Sequence, residues 1–325
     1  MSVRIGFIGT GGIAGFHFNN LDQIKDAQIA AVCDVVKDKV AAAADRFGVT
    51  GYMDFHEMLD KEELDAVYVC LPPFAHGEAE LAVVKKKLAM FVEKPVAMDF
   101  ATLKKLTRAV KNAGIITGVG YQDRYLDIID KLKKVIDPSQ VGLIMGYWMG
   151  GLPGVMWWRQ KKLSGGQHVE QTTHIFDMAR YLFGDVKRVS AVGSKGLMTD
   201  VPKYNIEDSS AVNLEFANGM IGTIFSACYQ KGAGGRGGID IFGKDFYVEY
   251  KERLSIKITR GKVIEETHVG NNCGLKEDQT FINAVKTGDG SKVRSPYPDA
   301  ARSAALSIAA SESLATGQFV KIPKL

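Results

Sequence analysis

Apolar and polar positions follow two successive patterns along the 325-residue chain. Over the first 120 residues, short unbroken apolar runs at 3–8, 28–33, 66–71, 89–92 and 115–119 alternate with longer segments at 13–24, 36–47, 55–63, 76–87 and 99–112. In the longer segments apolar residues recur every three or four positions. Short continuous runs predict strands buried on both faces, and the three-to-four spacing predicts amphipathic helices. In 36–47, Val40, Ala44 and Phe47 share one side and Gly48 ends the pattern; Asp99 reads as the N-cap of 99–112 and Gly114 as its stop. Strands alternating with helices predict a doubly wound α/β fold around a parallel sheet. Ligands of such sheets bind at the carboxyl ends of the strands, so the loops at 9–14, 71–76 and 93–95 are expected to meet at one crevice.

Beyond residue 121 the pattern changes. A helix at 125–136 leads to a strand at 141–149, a stretch rich in glycine and tryptophan at 150–167, and a long helix at 168–183 closed by Gly184. Strand patterns alone follow, at 186–194, 209–216, 220–228, 238–242, 245–250, 253–259 and 262–268, with Asn218-Gly219 and Arg260-Gly261 as turn pairs. Two helices, 275–287 and 297–315, finish the chain. The second domain is therefore expected to be α+β, with one large, mostly antiparallel open sheet. The boundary falls between 1–121 and 122–325. Residues 232–238, five of them glycine, are expected to form a mobile loop. An open sheet needs one face covered, which predicts a homodimer or homotetramer through it.

The first turn carries specific chemistry. After the apolar run 5–8, Gly9, Gly11 and Ala14 fall on the G-x-G-x-x-G/A spacing of a Rossmann dinucleotide site. The first glycine turns the chain sharply and the second lets the backbone approach a pyrophosphate. The small third residue lets the helix pack close to the sheet. Gly9, Thr10, Gly11, Gly12, Ile13 and Ala14 thus present a helix N-terminus to the phosphates. Asp34, twenty residues after Ala14, stands where a carboxylate accepts bonds from both ribose hydroxyls. Its charge disfavours a 2′-phosphate, which predicts NAD rather than NADP.

Composition sets the remaining bounds. The length suits two domains, and a hydrophobic content of 46% supplies cores for both. A net charge of +4, without a concentrated basic face, argues against a nucleic-acid partner. No stretch approaches 18 apolar residues, so no membrane span is expected. The chain enters a strand at once without a signal-peptide pattern, and Cys33, Cys70, Cys228 and Cys273 form no C-x-x-C pair. Buried reduced thiols and a cytoplasmic location are the corresponding expectations.

Further motifs follow in order. Residues 65–73 read Asp-Ala-Val-Tyr-Val-Cys-Leu-Pro-Pro, with His76 beyond; then come Glu93-Lys94-Pro95 and Gly120-Tyr121-Gln122-Asp123-Arg124-Tyr125. Gly165-Gly166 precedes Glu170, His174 and Asp177, and 281–288 read Phe-Ile-Asn-Ala-Val-Lys-Thr-Gly. In order and spacing, over essentially its whole length, the chain resembles the Gfo/Idh/MocA oxidoreductases, named for glucose–fructose oxidoreductase, inositol dehydrogenase and a rhizopine-catabolism protein. The resemblance implies a nicotinamide-dependent oxidoreductase acting on a sugar, a cyclitol or a related polyol. It also implies that Lys94 and His174 are catalytic, with Glu170 beside them. Glu170 stands where the family usually has Asp. Leu71, Pro72, Glu93 and Lys94 become further cofactor contacts; His76 is either another or a structural histidine at a helix N-terminus.

Glu170, His174 and Asp177 are spaced i, i+4 and i+7, one face of a continuous helix. Pro95 holds Lys94 extended at the sheet edge. A histidine suits the base role, an ammonium stabilises a developing alkoxide, and Glu170 is placed to fix the histidine's tautomer or to hold a substrate hydroxyl. Trp157, Trp158 and Arg159 are either substrate contacts beside His174 or domain-interface packing; Tyr121 and Gln122 at the domain junction are candidate substrate contacts alongside Lys94, Glu170 and His174. His168 and His174 are six apart and do not match a zinc-binding pair, so no metal is expected. Two other readings compete. One is a glycoside hydrolase using NAD transiently; the other is a non-enzymatic nucleotide sensor, which has no use for Lys94, Glu170 and His174 together.

Overall fold

The computed structural model describes residues 2–325 except 231 and 233. Its first sheet is parallel and contains β1 (Val3–Ile8), β2 (Ala27–Cys33), β3 (Thr50–Tyr52), β4 (Ala66–Val69), β5 (Ala89–Val92) and β6 (Thr117–Val119) in the order β3-β2-β1-β4-β5-β6. Helices α1 (Gly12–Leu21), α2 (Lys37–Phe47), α3 (Phe55–Lys61), α4 (Glu78–Lys85) and α5 (Phe100–Ala113) connect them. The expected strands are all present. β3 was missed because it is a three-residue edge strand with two exposed positions and no apolar run. The helix expected at 76–87 begins only at Glu78, after a 3₁₀ turn at Pro73–Ala75.

The second sheet has nine strands. They are β7 (Val141–Met149), β8 (Val186–Ser194), β9 (Ser209–Phe216), β10 (Ile221–Ala227), β11 (Arg236–Gly243), β12 (Tyr247–Lys251), β13 (Ser255–Arg260), β14 (Val263–His268) and β15 (Val320–Lys321). Their order is β14-β13-β12-β11-β7-β10-β9-β8-β15, and among the described residues only β7 and β10 pair in parallel. β11 starts at Arg236, so Gly237 and Gly238 are strand residues rather than part of a loop, held by pairing with β7. The rest of the glycine-rich stretch includes residue 233, outside the described residues.

Between the sheets run α6 (Asp127–Val135), α7 (Lys161–Ser164), α8 (Gln167–Glu170), α9 (Thr173–Phe183), α10 (Cys273–Thr287) and α11 (Tyr297–Thr316). The inner face of the second sheet buries Ile144, Val212, Ile224, Ile239 and Val248 against Ile175, Phe176 and Ala179 of α9. Helices α10 and α11, late in the chain, return to the first sheet. Phe281 and Ile282 join Phe7, Tyr68 and Phe91 in one core. The small Ala300, Ala301, Ala304 and Ala305 let α11 approach Leu103 and Leu106 of α5 closely. The carboxyl ends of the first sheet are thereby fixed against the second domain. No helix among the described residues is long and apolar enough to cross a membrane.

Candidate active site

The glycine turn forms as a cradle. Gly9 has φ +92°, and a Cβ there would lie 2.3 Å from the Cys70 carbonyl oxygen, so no other residue fits the turn between β1 and β4. Around Gly11 and Gly12 a Cβ would meet nothing within 4 Å, leaving open space over the α1 N-terminus. The first N–H groups of a helix have no partner within it. Asp34 closes the rim: its Oδ2 accepts from the Thr10 N–H at 2.8 Å and from the Thr10 hydroxyl at 3.2 Å, and its Oδ1 accepts from the Val36 N–H at 2.9 Å. Leu71 and Pro72 are half-buried after β4, with a Leu71 methyl beside Gly9. Open space, free N–H groups and a carboxylate at the end of β2 fit a dinucleotide.

Lys94 follows β5, and its peptide bond to Pro95 is cis. Its ammonium crosses to the second domain, where it donates to the Glu170 carbonyl at 3.0 Å and to Glu170 Oε1 at 3.1 Å. The indole of Trp158 donates to the other oxygen, Oε2, at 2.6 Å. Both carboxylate oxygens of Glu170 are therefore committed to holding Lys94 and Trp158; neither orients His174. With its carbonyl taken by Lys94, Glu170 does not continue a helix. The His174 N–H bonds Gln171 instead, and the helix expected at 168–183 breaks into α8 and α9. Asp177 consequently faces elsewhere, in a bidentate pair with buried Arg124 at 2.8 and 2.5 Å.

His174 sits at the start of α9, 7% exposed, its ring stacked on Trp148 of β7 with centroids 5.7 Å apart. Nδ1 is enclosed, with no hydrogen-bond partner among the described residues. Burial, then the positive charges of Lys94 and Arg253, push its pKa well below the usual histidine value. The ring is therefore neutral at pH 7, and the same burial and charges weaken it as a proton acceptor. Beside Trp148 and Gln171 opens a cleft of about 630 Å³, whose walls include Gly237 and Glu252.

Residues 3–121 match the family described as "Oxidoreductase family, NAD-binding Rossmann fold", and residues 132–261 match the GFO/IDH/MocA C-terminal domain. The chain belongs to the Gfo/Idh/MocA oxidoreductase family. It is an oxidoreductase with an NAD-binding Rossmann domain. Among relatives of this Gfo/Idh/MocA protein, myo-inositol 2-dehydrogenase of Thermotoga maritima is 29% identical, the alignment covering 99% of each chain. A crystal structure of a probable dehydrogenase from Thermotoga maritima superposes with a TM-score of 0.82 at 28% identity, covering 98% of this chain and 99% of that one. Levoglucosan dehydrogenase, solved with NADH and levoglucosan, shares the fold with a TM-score of 0.88 at 20% identity, covering 99% of this chain and 100% of the other.

Several residues of this oxidoreductase lie differently from the expectation. His76 is no cofactor contact: its Nδ1 pairs with Glu80 at 2.5 Å, its Nε2 with the Leu71 carbonyl at 3.1 Å, and its side chain is fully enclosed. The Glu93 side chain turns away from the cradle to pair with buried His17 at 3.1 Å, and its Oε2 accepts from the Lys94 N–H at 3.1 Å. Tyr121 is 1% exposed, with its hydroxyl 3.0 Å from Thr173 Oγ1, so it braces α9 rather than meeting a substrate. Burial and the Asp177 charge push the Tyr121 pKa up, which keeps its hydroxyl protonated. Gln122 faces α10, where it accepts from the Cys273 thiol. Trp157 packs with Leu152 and Tyr204 against Trp158, and Arg159 follows with its Nε enclosed and unpartnered.

His168 bonds Ser210 at 2.7 Å, and burial, then Lys161, pushes its pKa down to about 3. No group of three His, Cys, Asp or Glu side chains among the described residues is placed to hold a metal ion. Sequence reasoning missed Trp148, Gln171 and Glu252. Strand alternation in 141–149 puts Trp148 on the same face as Ile144, the one available signal for it.

Proposed function

We propose that this protein is an NAD-dependent dehydrogenase that oxidises a hydroxyl group of a cyclitol, a sugar or a related polyol. The observation that carries the reading is the Lys94 ammonium of the first domain, fixed on Glu170 of the second, with its charge acting on the neutral imidazole of His174. NAD, when bound, supplies the acceptor for the hydrogen that leaves carbon with its electron pair. The chain supplies the rest. His174 takes the hydroxyl proton, and Lys94 stabilises the negative charge developing on that oxygen. Glu170 and Trp158 hold Lys94 in place. The named relatives, a myo-inositol and a levoglucosan dehydrogenase, support the substrate class. The outer face of the second sheet carries exposed Met145, Val192, Ile221 and Phe225, which supports association of copies through that face.

The test is a screen of inositols, hexoses, anhydrosugars and sugar acids with NAD and with NADP, reading NADH at 340 nm as an order-of-magnitude survey of kcat/KM. On a substrate so found, His174→Ala lowers kcat by about 100- to 10,000-fold while NADH binding, read by fluorescence, is unchanged. Near-normal turnover by His174→Ala refutes the assignment. Glycosidic cleavage without net NADH would replace it with transient oxidation.

A further inference from the structure

A row of residues crosses the inner face of the second sheet at its site end. Ser226 of β10 and Gly237 of β11 both pair with Trp148 of β7. The Glu252 N–H donates to the Gly237 carbonyl at 2.9 Å, which places Glu252 next in the row, just past the end of β12. Val248 and Tyr250, four and two residues earlier, point inward, and Glu252 continues that face. The row thus reads Ser226, Trp148, Gly237, Glu252, with His174 stacked on Trp148.

Gly237 is the gap in the row. A Cβ there would lie 2.3 Å from Glu252 Oε2, so the carboxyl lies over the glycine, in the space a side chain would fill. The Glu252 side chain is nine-tenths buried, 10% exposed, and among the described residues its Oε1 has no hydrogen-bond partner, only an ion pair with an Arg253 guanidinium nitrogen at 3.5 Å. The long ion pair leaves the hydrogen-bonding capacity of an enclosed carboxyl oxygen unmet, which is costly. It shares the cleft wall with Trp148 and Gln171.

We propose that Glu252 is a substrate-binding residue, its carboxyl hydrogen-bonding a polyol hydroxyl other than the one oxidised, while Trp148 carries His174 beside the reacting one. This inference rests on the dehydrogenase reading. The groups facing Glu252 set its state. Asp123, on the 3₁₀ turn Gln122–Tyr125, lies on one side and accepts from Arg253 Nε at 2.6 Å. Arg253, the next residue in the chain, has a guanidinium nitrogen 3.5 Å from Oε1, and Lys94 contributes its field from the first domain. Burial, then the Asp123 charge, outweighs both cations and pushes the Glu252 pKa up to about 8. Protonated, the carboxyl donates to a hydroxyl oxygen; ionised, it accepts from a hydroxyl.

The experiment compares wild type, Glu252→Gln, Glu252→Ala and Gly237→Ala on the polyol found in the screen and on its deoxy analogues, with NADH fluorescence as the check on folding. Glu252→Ala is expected to raise KM by about tenfold to a hundredfold with a smaller change in kcat. Glu252→Gln, an isostere that keeps an N–H donor, stays within about threefold of wild type. For one deoxy analogue the penalty of Glu252→Ala disappears, which a purely structural role would not produce. An unchanged KM in Glu252→Ala, a penalty equal for every analogue, or Glu252→Gln as impaired as Glu252→Ala overturns the proposal. If Glu252→Ala does not bind NADH, Gly237→Ala decides by displacing the carboxyl: raised KM supports the proposal and wild-type KM overturns it. A wild type that turns over no alcohol overturns the dehydrogenase reading itself, and this inference with it.

Discussion

Replacing His17 with Ala tests the buried charge cluster beneath the site. His17 lies on α1 and is wholly enclosed. Its Nδ1 meets Asp278 of α10 at 2.8 Å and its Nε2 meets Glu93 at 3.1 Å. Two carboxylates, one at each ring nitrogen, require both nitrogens to carry hydrogen. Burial opposes the charge, but Asp278 and then Glu93 override it and raise the His17 pKa from 6.5 to about 10. At about 1.4 kcal/mol per pH unit that rise corresponds to roughly 5 kcal/mol of stability. The loss expected from breaking a buried ion pair, about 3–5 kcal/mol, agrees. Because the folded-state pKa is raised, the contribution is complete below about pH 6.5 and lost as pH climbs through about 10. Urea unfolding followed by tryptophan fluorescence, at pH 6 to 9.5 for wild type and His17→Ala, measures it. The stability gap is expected to be largest near pH 6 and to narrow by about 1.4 kcal/mol per pH unit above about 6.5. A gap below about 1 kcal/mol at pH 6.5, or one that ignores pH, refutes an imidazolium at this position.

Three further outcomes are expected. With Asp34 fixed against Thr10 by two hydrogen bonds, kcat/KM for NAD exceeds that for NADP by at least about tenfold, and an NADP preference would contradict the role given to its charge. Trp158→Phe removes the indole donor from Glu170 at a cost of about 1.5–3 kcal/mol, so Lys94 loses its fixed position and kcat falls about tenfold or more with NADH binding intact; unchanged kcat would show that Lys94 is held without it. Dialysis against a strong chelator leaves activity unchanged, since His168 is spent on Ser210; loss with rescue by zinc would reverse that reading.

What the sequence determined by itself was local and periodic. The strand-helix alternation, the turn at Gly9, Asp34 at the end of β2 and Lys94 just past β5 follow from patterns only a few residues long, because side-chain period and turn chemistry act at that range. Tertiary structure decided which of those residues are taken up by partners within the protein. His76 and Glu93 carry the right chemistry at the right loops, yet each is consumed by a partner, Glu80 and His17, that motif spacing does not reveal. The helical spacing of Glu170, His174 and Asp177 suggested one polar stripe. Lys94, 76 residues earlier, takes the Glu170 carbonyl and divides the helix, while Arg124 draws Asp177 into a separate buried pair. Trp148, Gly237 and Glu252 come together only through the register of β7, β11 and β12, a relation among distant segments that no local pattern encodes. Periodicity specifies which face of an element is buried; the partner across that face is set by long-range hydrogen bonds and packing, and at this site those choose the functional side chains.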